Sequence, residues 1–153
     1  MQRWEEVKQA VASGAGVRTH SGSVQPGDVF LAMPGTRRHG TEFVADALRR
    51  GAGYVLLDRD LPEAERAASA PCLRVDDVRD ALGELARIRY STGSLSLSLL
   101  GITGTNGKTT VSYLLEHLLS RAGRRVGVLG TISYRWPGHE EEAALTTPDC
   151  LRM

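Results

Sequence analysis

The sequence predicts an α/β protein, and three observations carry that prediction. Short apolar runs alternate with amphipathic segments of helical period, the order expected of strands and crossover helices in a mostly parallel sheet. Glycine and proline sit between them as turn signals. Near residue 95 the alternation restarts beyond a small, polar stretch, "STGSLS", and the next apolar run leads straight into "GITGTNGKTT", a glycine-rich loop that opens a helix. The reading is a βαβ-type N-terminal domain over 1–92 and the beginning of a second α/β domain over 93–153.

Taken in order, residues 2–13 have the spacing of a short amphipathic helix stopped by Gly14. "GDVFLAM" (27–33) reads as a strand behind the Pro26-Gly27 turn. "GTEFVADALRRG" (40–51) reads as a helix, with Thr41 as N-cap, Phe43, Val44, Ala47 and Leu48 as its stripe, and Gly51 just past its end. "YVLLD" (54–58) is a strand, "PEAERAAS" (62–69) a helix and "CLRV" (72–75) a strand. Asp76 or Asp77 caps "VRDALGELARIRY", where Val78, Leu82, Leu85 and Ala86 share a face. Past the boundary, "LSLLGI" (97–102) predicts a strand. "TTVSYLLEHLLSRAG" (109–123) predicts a helix striped by Val111, Leu114, Leu115, Leu118, Leu119 and Ala122, and "RVGVLG" (125–130) a further strand. This second βαβ unit does not finish within the 153 residues, so the chain reads as the front part of a longer protein.

Composition narrows the function. A net charge of +1 gives no broad electrostatic case for nucleic acid or membrane. No apolar leader and no run of transmembrane length is present. Cys72 and Cys150 are too few for a disulfide framework or a zinc site, so a reducing, cytoplasmic setting is expected. Cys72, Trp4 and Trp136 read as packing residues, His117 as part of a polar helix face, and His139 as part of a charged loop, "GHEEE".

The opening of the second unit carries the chemistry. A strand, a glycine-rich loop and a helix starting at Lys-Thr form a phosphate-binding arrangement. Glycines turn backbone N–H groups inward and remove the Cβ atoms that would block an anion. The helix N-terminus adds free donors and the positive end of its dipole. Of 19 basic residues only Lys8 and Lys108 are lysines, and Lys108 stands where a point charge would meet the outer phosphates. The Thr109 hydroxyl can ligate Mg²⁺. The match to G-x-x-x-x-G-K-[ST] is not strict, because Ile102 occupies the first glycine position between Gly101 and Gly104. The competing reading is a glycine-rich turn that binds nothing.

"TGTNGKTT" resembles the ATP-binding signature of the Mur ligase family. "SVQPGDVFLAMPG" (23–35) with "HGTEF" and "GAGYVLLD", then "GVLGTISY" (127–134) and "LTTPD" (145–149), are similar to further stretches of that family. The resemblance covers nearly the whole chain and is strongest over 101–110 and 145–149, where it favours the branch that adds the third amino acid. The sequence departs from the family at "HSG" (20–22), which keeps only Ser21 of an Asp-Ser-Arg triplet, and at His39-Gly40, where the family has Asp-Gly.

The resemblance implies an ATP-dependent acid–amino-acid ligase that works through an acyl phosphate. Its substrates would be UDP-N-acetylmuramoyl-L-alanyl-D-glutamate and a diamino acid, meso-diaminopimelate or L-lysine, with Mg²⁺ and no protein nucleophile. Gly104, Thr105, Asn106, Gly107, Lys108, Thr109 and Thr110 would hold ATP, Lys108 as the catalytic charge and Thr109 as the metal ligand. Ser21, Thr36, Arg37 and Arg38 would hold the UDP end, and Thr146 and Thr147 the sugar-peptide region. By their own chemistry, Ser21 reads equally as a turn hydroxyl, Arg37 and Arg38 as a solvated loop pair, and "TTPD" as a plain turn. A cytoplasmic monomer is expected, inactive over these residues alone because later metal and amino-acid contacts would lie beyond Met153. The alternatives are the dipeptide-adding branch of the family, a plain P-loop NTPase or kinase, and, as a non-enzyme, a stand-alone nucleotide-binding module.

Overall fold

The computed structural model describes residues 2–35, 38–61, 72–144 and 150–151. The chain divides into two compact units, Met1–Leu95 and Ser96–Met153. The helix expected over 62–69, Thr36, Arg37 and the 145–149 stretch with Thr146 and Thr147 lie outside the described residues.

The first unit is built on a parallel sheet. Its strands β1 (Val17–Arg18), β2 (Val29–Leu31), β3 (Tyr54–Leu57) and β4 (Cys72–Arg74) stand in chain order, with Val17 opposite Val29, Val29 opposite Tyr54 and Val55 opposite Cys72. Helices α1 (Gln2–Ala12), α2 (Val44–Arg49) and α3 (Val78–Arg89) accompany them. The period of two along a strand sends successive side chains to opposite faces. Phe30, Val55 and Leu57 pack with Val24, Val44 and Ala47 in one cluster that includes α2. Val29, Leu31 and Leu56, also closed to water, point the other way. There α1 and α3 pack on each other, α3 reaches β1, and Val7, Val11, Val78 and Leu85 are buried.

Local chemistry explains the element ends. Asp77 caps α3 by accepting from the Arg79 amide at 2.6 Å. Two expectations change. The strand β1 is new; a two-residue strand carries too little pattern to be read. The helix expected from Thr41 starts instead as a 3-10 turn, Gly40–Phe43, capped by His39, whose ring accepts from the Thr41 amide while the Glu42 carboxylate accepts from the His39 amide. Gly40 permits this turn because a Cβ there would collide with the backbone of Ala32 and Met33.

The second unit differs more from its reading. Helix α4 (Lys108–Arg121) forms as expected, but it buries no residue. Residues 97–102 form no strand, and Leu97, Leu99 and Leu100 are 69%, 90% and 63% exposed. An apolar run becomes a strand only where a neighbouring backbone takes up its N–H and C=O groups, and no described segment does so here. The strand expected over 125–130 shortens to β5 (Val128–Leu129). It pairs antiparallel with β6 (Ser133–Trp136), which pairs antiparallel with β7 (His139–Glu142). This meander replaces the expected parallel βαβ unit. The "GHEEE" stretch is therefore strand rather than loop, and Trp136 is an exposed ring stacked on His139 with centroids 4.2 Å apart.

Candidate functional site

The glycine-rich loop gathers Gly104, Thr105, Asn106, Gly107, Lys108, Thr109 and Thr110 at the N-terminus of α4, all of them exposed. Gly107 is the N-cap residue with φ of +79°, in the left-handed region that favours glycine, and open space surrounds the position a Cβ would take. The first helical bond runs from the Val111 amide to the Gly107 carbonyl at 2.9 Å. The amides ahead of it in the first turn have no partner within the helix. Lys108 folds back over the loop, its Nζ donating to the Gly104 carbonyl at 2.5 Å. Free amides, a helix dipole and one ammonium around open space suit the oxygens of a phosphate chain, and the Thr109 hydroxyl beside them is a hard oxygen donor of the kind Mg²⁺ takes.

A second group of residues collects at the carboxyl ends of the parallel strands, where α/β proteins bind ligands. Ser21 follows β1, Arg38 and His39 follow β2, and Asp58 follows β3. The Ser21 hydroxyl bonds the Asp46 carboxylate of α2, which helps hold that acid below its ordinary pKa, with Arg50 also contributing. Arg50 additionally donates to the Gly22 carbonyl at 3.4 Å. Arg38 reaches out to Glu42 at 3.1 Å and lies over the Phe43 ring. His39 Nε2 and Asp58 Oδ1 face each other at 3.6 Å, both buried and neither hydrogen-bonded. The other ring nitrogen, Nδ1, accepts from the Thr41 amide at 3.3 Å, which leaves Nε2 as the ring atom that faces Asp58.

Asp28, which sequence reading did not single out, lies at the opposite, amino-terminal edge of the sheet, at the entry to β2. Its carboxylate accepts from the Gly16 amide at 2.9 Å, the Gln25 amide at 3.0 Å and Arg18 Nε at 2.7 Å. Burial alone would push its pKa up, but the Arg18 guanidinium and the two amides outweigh it and hold the carboxyl below its ordinary value. One acid thus ties Gly16 at the entry to β1, and Arg18 within it, to Gln25, which follows the turn carrying Ser21. The signal available was an Asp directly after Pro-Gly, at a strand entry.

The second unit holds a polar cluster that was also missed. Arg135 of β6 donates from Nη2 and Nε to the Glu116 carboxylate of α4 at 2.7 and 3.2 Å, and from Nη1 to Ser133 Oγ at 2.7 Å. Ser133 Oγ in turn donates to Glu140 of β7 at 3.0 Å. The Arg135 guanidinium lies 4.1 Å from the centroid of the Tyr113 ring, and the hydrogen bonds it donates to the Glu116 carboxylate push its pKa up. Among the described residues, no group of three His, Cys, Asp or Glu is placed to hold a metal, and no helix is long and apolar enough to cross a membrane.

Residues 8–90 match the profile described as Mur ligase family, catalytic domain, and residues 102–153 match that of the Mur ligase middle domain. The UDP-N-acetylmuramoyl-L-alanyl-D-glutamate--2,6-diaminopimelate ligase of Lawsonia intracellularis is 53% identical over 133 residues, which are 87% of this chain and 27% of that protein. Its namesake from Thermosynechococcus vestitus is 46% identical over 138 residues, 90% of this chain and 27% of that one. The chain thus spans about a quarter of the length of these relatives, 27% in each case. Among solved structures, a UDP-N-acetylmuramoyl-L-alanyl-D-glutamate--2,6-diaminopimelate ligase superposes with a TM-score of 0.64 at 30% identity, over 90% of this chain and 27% of its own. The MurF ligase of Thermotoga maritima in complex with ADP superposes with a TM-score of 0.55 at 32% identity, over 76% and 25%.

Proposed function

The chain belongs to the Mur ligase family, and on that premise we propose that it supplies the UDP-end and phosphate-binding parts of a ligase that joins 2,6-diaminopimelate to UDP-N-acetylmuramoyl-L-alanyl-D-glutamate. Residues 1–92 form the UDP-substrate domain in this reading and 93–153 begin the ATP-binding domain. The single observation that carries it is the glycine loop at the head of α4, with Lys108 over it. The relatives' names support the choice of amine, and the ADP complex of a structural neighbour supports the choice of nucleotide.

The reaction follows from what such a loop can do. A substrate carboxylate oxygen attacks the γ-phosphorus of ATP, ADP departs, and an acyl phosphate results. The amine nitrogen then attacks the acyl carbon, phosphate leaves, and the nitrogen loses a proton as the amide forms. Charge builds on phosphate oxygens in the first step, so donors fixed in advance lower its barrier. Lys108 supplies the mobile charge, Gly104, Thr105, Asn106 and Gly107 shape the cradle, and Thr109 and Thr110 close it from the first helical turn. Thr109 would hold Mg²⁺, which supplies charge neutralisation across the phosphates. Ser21 and Arg38, with Thr36 and Arg37, would meet the UDP end, and Thr146 and Thr147 the sugar-peptide end. The setting is cytoplasmic, where ATP and UDP-linked precursors are available, and the active species a monomer.

The test is phosphate release by the complete polypeptide that carries these residues, with ATP, Mg²⁺, the UDP-muramoyl dipeptide and one amine at a time. Release should require the dipeptide and should be fastest with diaminopimelate, slower with L-lysine and absent with D-alanyl-D-alanine. Dipeptide-independent release, or turnover with D-alanyl-D-alanine alone, would overturn the assignment.

A further inference from the structure

The Arg135–Glu116 cluster joins the helix that carries the glycine-rich loop to β6. The contacts that this cluster makes between α4 and the meander are directional. One guanidinium holds Glu116 by two nitrogens and Ser133 by the third, and Ser133 holds Glu140. Its face is covered by Tyr113, one turn earlier on the same helix. A planar group held along its edge and on one face has little freedom to rotate or slide, which an ammonium or an apolar side chain in its place would regain. Arg135 is 9% exposed, so water competes little for these bonds.

We propose that Arg135 and Glu116 are positioning residues of the ligation reaction: they lock α4 in rotation and register on β6 and β7 and so aim the phosphate loop two turns away. The inference rests on the ligase reading given above. The loop's own donors are local to one turn and survive loss of the lock, so nucleotide affinity should persist. The line between the γ-phosphorus and the incoming carboxylate depends on where the whole helix points, so turnover should fall.

The experiment uses the complete polypeptide with Arg135→Met, Arg135→Lys and Glu116→Gln, its binding sites counted by titration with a fluorescent ADP analogue. Turnover per binding site should drop by about 10- to 100-fold in Arg135→Met, the scale of loss produced by a displacement near 1 Å, with KM for ATP changing several-fold less than turnover. Arg135→Lys, which keeps the charge but not the planar donors, should recover only a minor part. Unchanged turnover per site in Arg135→Met overturns the proposal, as does a rise in KM for ATP that accounts for the whole loss. If Arg135→Met does not fold, Glu116→Gln and Arg135→Lys decide by the same criterion. The unsubstituted protein separates the two readings, because absence of dipeptide-dependent phosphate release there indicts the ligase assignment and not the lock.

Discussion

Leu56 of the first unit and Leu118 of the second are both apolar residues on regularly patterned elements, and they meet opposite fates. Leu56 sits at the centre of a four-stranded parallel sheet and is closed to water, whereas Leu118, on the apolar stripe of α4, is 62% exposed. The first unit is held by a dry core on both faces of its sheet. The second is held by a short antiparallel meander and a chain of polar contacts through Arg135. The pattern in the sequence is the same in kind; the difference is whether other elements close over the face. The glycine-rich loop at the head of α4, which the proposed function makes the phosphate site, is thus carried on the unit whose described residues are less enclosed.

The contrast can be broken most sharply in the cores. Leu56→Ala in the 153-residue chain should cost about 2–5 kcal/mol, because a cavity replaces well-packed contacts. Leu118→Ala should stay within about 0.5 kcal/mol, as surface changes do. Thermal or denaturant unfolding followed unit by unit checks both, and equal costs would remove the distinction.

A smaller effect is expected at Asp28, the polar tie within the otherwise apolar unit. Asp28→Asn should cost about 1–3 kcal/mol, the range for leaving buried partners imperfectly satisfied. The sign of the pH dependence follows from the lowered pKa of the folded state. The unfolded chain binds the proton more readily, so the contribution is fully present above the ordinary Asp value of about 4 and is lost as pH falls toward the lowered folded value. Stability of the parent should therefore drop on acidification through that window, and the Asn variant should drop less. Parallel acid limbs in the two proteins would show that Asp28 is not the group responsible.

How far the sequence could be read follows the same divide. The helix over 2–13, the strands near 29, 54 and 72, the Asp77 cap and the stripe of α3 were all legible, because each depends on neighbours a few residues away or on a face that is in fact buried. The glycine-rich turn that opens α4 was legible because Gly107 is followed by a run of helical period from Lys108. Pairing was not legible. The 97–102 run has the composition of a buried strand, but composition does not reveal whether a partner lies alongside. The hairpin of β6 and β7 was hidden for the converse reason: Pro137-Gly138 marks its turn, with Gly138 at φ of +84°, but three glutamates on an exposed strand look like a loop. His39 escaped as a cap because histidine rarely takes that role, and Thr41, the residue with the usual cap chemistry, lies two positions later. The Glu116–Arg135 pair spans 19 residues and carries no local signature.

The claim on which the rest depends is that Lys108 supplies charge to a phosphate-holding loop, and Lys108→Ala in the complete polypeptide tests it directly. Lys108 is exposed and, among the described residues, its ammonium bonds the Gly104 carbonyl, so unfolding should be unchanged. Dipeptide-dependent phosphate release should fall by at least about 10²–10³-fold, the scale set by removing one preorganised charge-stabilising group. A variant that folds normally and turns over at a near-parental rate would contradict the account.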